Sequence, residues 1–149
     1  MLTSKGTVMA SSNAAYAAYN QNNMGIDSPQ KLISMLYEGI LRFIYRAKKA
    51  MDEGDIENKV LFLNKTNAIF FELINSLDMS QGQISQYLQG LYSRQIQLIS
   101  EANITNDQSK LDEVVHVTRE LLEASRDATK GEDELAKSSQ ISTSMREFR

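Results

Sequence analysis

Apolar side chains recur every three or four residues along four stretches of this chain, and residues that interrupt helices separate the stretches. The pattern predicts an all-α protein, an antiparallel four-helix bundle with a short N-terminal helical segment. The first helix opens at Ser28-Pro29, where the serine can accept from the first turn and the proline ring presets φ, and it runs to about Asp52, ahead of Gly54. Asp55 caps the second, which continues to about Asp78. Met79-Ser80-Gln81-Gly82 then turns the chain into a third helix that ends near Asn103. Asn106 or Asp107 caps the fourth, whose apolar period stops at about Ala128. Connections this short favour antiparallel neighbours.

The helices carry more apolar residues than one inner face uses. On the first, Leu32, Leu36, Ile40, Phe43 and Ala47 make one face, while Tyr37, Leu41 and Tyr45 recur on another flank. On the second, Ile56, Val60, Leu63, Asn67, Phe70, Phe71 and Ile74 are expected inward, with Phe62, Ile69 and Leu73 roughly opposite. The third is expected to turn Ile84, Tyr87, Leu88, Leu91, Gln95, Leu98 and Ala102 inward, with Tyr92 and Ile96 to the side. Left in water, the surplus would form an apolar patch on the order of a few hundred Å². Either these residues tuck beneath neighbouring helices or they line a groove for a partner helix, which anchors at i, i+3, i+4 and i+7. The candidate partner-binding residues are therefore Tyr37, Leu41, Tyr45, Phe62, Ile69, Leu73, Tyr92 and Ile96. The stretch from Asn13 to Gln21, bearing Tyr16 and Tyr19, is marginal as an isolated helix and is the candidate cover for that groove.

Composition narrows the class. At 149 residues, 42% hydrophobic and 23% charged, the chain suits one domain with its own core. Residues 1–12 read as a flexible extension, 13–129 as the bundle, and 130–149, mostly polar with isolated apolar side chains, as a disordered tail. A net charge of −3 and a pI near 5.2 argue against nucleic acid and anionic membrane surfaces as partners. The absence of cysteine excludes disulfide frameworks, thiolate metal sites and cysteine nucleophiles, and fits the cytosol. The apolar patch around Val8 is too short for a signal peptide or membrane span.

No constellation for chemistry survives inspection. Glu113-Val114-Val115-His116 has the Glu-x-x-His spacing of di-iron bundles, but His116 is the only histidine, and with Leu111, Val115 and Leu122 inward the pair projects outward. A haem site on His116 meets the same objection. The acidic residues around Gly54 lack the ligand spacing of a calcium loop. There is neither a serine elbow with a base nor a phosphate-binding glycine loop. A binding protein without metal, cofactor or catalytic residues is expected.

Beginning at Tyr16-Ala17-Ala18-Tyr19-Asn20-Gln21-Asn22 and continuing through Asp27-Ser28-Pro29-Gln30-Lys31-Leu32-Ile33-Ser34-Met35-Leu36-Tyr37-Glu38-Gly39-Ile40, the chain resembles the amino-terminal signature of the FliS flagellar secretion chaperones. Further matches are Phe71-Glu72-Leu73-Ile74-Asn75-Ser76-Leu77-Asp78, Tyr87-Leu88-Gln89-Gly90-Leu91-Tyr92, Glu101-Ala102-Asn103-Ile104 and Leu121-Leu122-Glu123-Ala124, so the resemblance spans about Asn13 to Ala128. It implies a cytosolic export chaperone that clamps the disordered carboxy-terminal segment of flagellin, prevents its premature polymerisation, and docks on the cytoplasmic domain of the export-gate protein FlhA. It also implies that the Tyr16–Tyr19 segment covers part of the binding surface until the partner displaces it. Other flagellar proteins are possible partners. Members often carry tryptophan after the Leu-Leu-Glu-Ala block, where this chain has Ser125, a change expected to loosen the end of the fourth helix. The alternative reading is a helical adaptor or regulator whose apolar stripes mediate self-association.

Overall fold

The computed structural model describes residues 28–147, with side chains described to Ser138. The expected Asn13–Gln21 helix, with Tyr16 and Tyr19, lies outside the described residues. Helix α1, Pro29–Asp52, starts where Ser28 Oγ accepts from the Lys31 amide at 3.2 Å and Pro29 needs no donor partner. Gly54, at φ 68°, turns the chain, and the Asp55 carboxylate accepts from the Asn58 amide at 3.1 Å to open α2, Ile56–Asn75. The Asp78 carboxylate, expected to end α2, instead accepts from the Ser80 amide at 3.0 Å and starts a single 3-10 turn, Met79–Gln81. Helix α3 follows as Gln83–Thr105. Asn106 closes it in the left-handed conformation, at φ 57°, while Asp107 accepts from the Ser109 amide at 2.9 Å where α4 begins.

Helix α4 spans Gln108–Glu147, well past the expected end near Ala128. Beyond Ala128 the chain contains no proline and one glycine, Gly131, and its serines and threonines are weak formers but not breakers, so nothing in the backbone stops propagation once the packed turns are formed. Its 40 residues correspond to roughly 60 Å, against roughly 36 Å for the 24 of α1, so α4 overhangs the bundle. Among the described side chains the last tie to α1 is Lys31 Nζ to an Asp133 carboxylate oxygen at 3.9 Å, and Glu134 to Ser138 are exposed.

α1 packs on α2 and α4, and α3 on α2 and α4, so the helices form a closed ring. Cross-links fix the direction: Lys48 pairs with Asp112, and Glu38 with Arg126 at 2.8 Å, so α1 and α4 run antiparallel. The core holds Ile40, Ile44, Leu63, Phe70, Ile99 and Leu111, all with at most 1% exposure.

The inner line of α2 is Lys59, Leu63, Thr66, Phe70 and Leu73, alternating four- and three-residue steps. Two of these are polar, and they hide the line from a search for apolar periodicity. Thr66 satisfies its hydroxyl on the Phe62 carbonyl at 2.8 Å, and Lys59 Nζ donates to the Asn103 carbonyl at 3.0 Å and to Asn106 Oδ1 at 2.9 Å, closing the end of α3. Four residues expected inward are therefore exposed: Ile56, Phe71, Ile84 and Tyr87. The inner line of α3 is likewise disguised by Ser85 and Gln95.

Candidate partner surface

Three of the eight candidate anchors are core residues, which corrects their assignment to surplus stripes. Tyr37 and Tyr92 are each 3% exposed and Leu73 1%. Tyr37 on α1 and Tyr92 on α3 meet across the diagonal of the bundle, hydroxyl to hydroxyl at 2.6 Å, and the Tyr92 ring lies 6.1 Å from Phe70 at a tilt of 48°. Burial pushes both phenols above their ordinary pKa, so both stay protonated, each with its hydroxyl partnered by the other. The tyrosines departed from the apolar wheel because a phenol can be buried wherever its oxygen finds a partner.

The other five reach the surface at three different places. Phe62 and Ile69 lie on the α1–α2 seam. Phe62 stacks on Phe43 with centroids 6.1 Å apart, and Ile69 sits so near the α1 backbone that a Cβ on Gly39 would stand 3.2 Å from its Cδ1. Gly39 thus permits the close approach of the two helices. Leu41 lies on the α1–α4 seam, midway between Ser34 and Lys48, which bond to Ser125 and Asp112 of α4. Tyr45, seven residues from Glu38 on the same flank, is 72% exposed. Ile96 is on the α2–α3 seam, seven residues before Asn103, the residue that Lys59 holds to α2. Leu41, Phe62, Ile69 and Ile96 are half-buried. The five do not form one groove.

Further exposed apolar residues flank the passage from α2 into α3: Phe71, Ile84 and Tyr87, expected in the core, are exposed by 53%, 58% and 66%, and Met79, in the turn between them, by 48%. Only the position of Met79 in a turn pointed to this exposure. Ser125, which stands where a tryptophan was expected, bonds Ser34 Oγ at 2.6 Å and donates to the Gln30 carbonyl at 3.2 Å, tying α4 to the start of α1.

His116 and Glu113 point outward, to Glu120 at 3.2 Å and to Arg94 at 3.9 Å. Among the described residues no group of acidic or histidine side chains is placed to hold a metal, and no helix is long and apolar enough to cross a membrane.

The family model for the flagellar protein FliS matches residues 11–132. The Flagellar secretion chaperone FliS of Campylobacter jejuni subsp. jejuni serotype O:6 (strain 81116 / NCTC 11828) is 55% identical over 121 residues, which cover 80% of this chain and 94% of that protein. That of Bacillus subtilis (strain 168) is 32% identical over 117 residues, 78% of this chain and 87% of its own. That of Vibrio cholerae serotype O1 (strain ATCC 39315 / El Tor Inaba N16961) is 35% identical over 98 residues, 65% of this chain and 72% of its own.

Proposed function

The chain belongs to the FliS family of flagellar secretion chaperones, and on that premise we propose that it binds the disordered carboxy-terminal segment of flagellin in the cytosol, prevents premature polymerisation, and delivers it to the flagellar type III export gate through the cytoplasmic domain of FlhA. Binding involves no chemical step and no cofactor. The observation that carries the reading is the distribution of half-buried apolar residues over three seams, above a core closed independently by the Tyr37–Tyr92 bond. A single docked helix covers one seam. A disordered segment that orders as it wraps the bundle covers all three, with Leu41 and Tyr45 contacting it on one side, Phe62 and Ile69 on the next and Ile96 on the third, and with Tyr37, Leu73 and Tyr92 as the floor. Burial of apolar area drives such binding, and the cost of ordering the segment holds the affinity within a releasable range.

Calorimetric titration of the full chain with the flagellin carboxy-terminal segment tests this. One-to-one binding with negative ΔCp is expected, weakened roughly tenfold by Phe62→Ala with Ile69→Ala, and several-fold by Tyr45→Ala or Ile96→Ala, each truncation of a side chain already partly buried losing about 0.5–1 kcal/mol of contact. Loss of all binding on changing one seam, with no effect at the others, would replace wrapping by a single groove. No binding by the unmutated chain would remove flagellin as the client. The exposed side chains of Phe71, Met79, Ile84 and Tyr87 favour a second reading, self-association, which sedimentation would show as a concentration-dependent dimer.

A further inference from the structure

The surface around the Phe43–Phe62 ring pair carries charge of one sign. The Arg46 guanidinium lies 5.5 Å from the Phe62 centroid, and Lys65 Nζ lies 5.5 Å from that of Phe43 and 5.9 Å from that of Phe62. Arg42, one turn before Arg46, and Lys49, one turn after, continue the row along α1, which has no acidic residue between Ile40 and Met51. All four cations are exposed, and none forms an ion pair among the described residues. Other cations of the bundle do pair: Lys48 with Asp112, Arg126 with Glu38, and Lys110 with Glu101. Of the carboxylates nearest in sequence, Glu38 pairs with Arg126 at 2.8 Å and Asp52 accepts from the Gln108 side-chain amide at 2.6 Å, while Glu57 and Glu72 lie on either side of Lys65 along α2. In a chain of net charge −3 this is a local concentration, not an overall bias.

We propose that the α1–α2 seam docks an acidic amphipathic helix of a partner protein, with carboxylates on Arg42, Arg46, Lys49 and Lys65 and apolar side chains on Phe43, Phe62 and Ile69. The inference rests on the reading of this seam as a partner surface and assigns the chemistry of the segment that occupies it. A guanidinium stacked on a ring keeps its N–H edge free to take a carboxylate in a fork, so the contact with Phe62 aims Arg46 without saturating it. Cations spaced three and four residues apart repel one another, and incoming carboxylates relieve that repulsion as they pair. A short acidic helix meets only the basic row, whereas a long nucleic acid would also run over the acidic remainder of the molecule and be repelled there.

The probe is a labelled synthetic amphipathic peptide with leucines at i, i+3, i+4 and i+7 flanked by glutamates, and a second peptide with glutamine for each glutamate. Both are titrated by fluorescence anisotropy into the full chain and into an Arg46→Gln, Lys65→Gln variant. Both substituted side chains are exposed, so unchanged helical signal and unfolding midpoint certify the variant. The acidic peptide is expected to bind at least about tenfold more tightly than the glutamine peptide at low salt. The difference should shrink as the ionic strength passes about 0.15 M, where the screening length is about 8 Å, and should largely vanish in the variant. Equal binding of the two peptides, a preference that persists in the variant, or tighter binding of single-stranded RNA than of the acidic peptide overturns the proposal. Flagellin segment bound without any preference for the acidic peptide leaves the client reading and removes this one. The preference seen without flagellin binding does the reverse.

Discussion

The hydroxyl pair of Tyr37 and Tyr92 shows how much one buried contact governs. Tyr37→Phe leaves the Tyr92 oxygen buried without its partner and is expected to cost about 1–3 kcal/mol, while adding Tyr92→Phe removes the orphan and recovers much of that loss. Urea unfolding of the two single variants and the double variant measures both. The same pair makes stability depend on alkali. In the unfolded chain the phenols ionise near their ordinary value of 10.0, whereas burial holds them protonated in the fold. Above that pH the folded state binds more protons than the unfolded one, so the pair's contribution is complete below about pH 10 and is lost as pH rises further. The unfolding midpoint should fall between pH 9 and 11, less steeply in the double phenylalanine variant. The outward placement of Glu113 and His116 was legible from their neighbours alone, because Leu111 and Leu122 set the inner direction of α4. The burial of the two tyrosines was not, since it depends on a hydroxyl partner 55 residues away.

At the level of the helices, starts were more legible than ends. Ser28-Pro29 and Asp55 announce α1 and α2 through chemistry local to the turn, and Asp107 opens α4 in the same way. The end of α4 had no such mark, and the inner line of α2 was hidden because Lys59 and Thr66 satisfy their polar atoms on backbone oxygens of their own or a neighbouring helix. Periodicity counts apolar residues and is blind to polar ones that find partners, which is why Phe71, Ile84 and Tyr87 were turned inward and their exposure about the α2–α3 passage was missed. Gly39 in α1 and Gly90 in α3 differ in kind. Gly39 meets Ile69, but a Cβ at Gly90, in the middle of α3, would meet nothing within 4 Å. Gly90→Ala should therefore stabilise the protein by about 0.5–1 kcal/mol, from helix propensity and the unfolded state alone, read as a higher urea midpoint with an unchanged slope.

For the whole molecule, the FliS match ends at residue 132, beside the Lys31–Asp133 ion pair that ties α4 to α1. Shortening the chain after Asp133 should leave the unfolding midpoint within about 1–2 °C of the full chain, because Glu134 to Ser138, which follow it, are exposed, whereas shortening it after Ala124 removes the Ser125 and Arg126 ties and should lower the midpoint clearly. The ring of helices, with its neighbours antiparallel, was legible from the short connections. The distribution of surface apolar residues over three seams was not, since it depends on which flank of each helix meets which neighbour. That distribution has a mechanical side. An occupant held on one continuous face resists a pull along its length with all its contacts together, whereas a strand laid over separate seams and drawn from one end peels from them in turn. The force needed to strip it is then set by the strongest single seam, so a strand held firmly at rest comes away under modest tension.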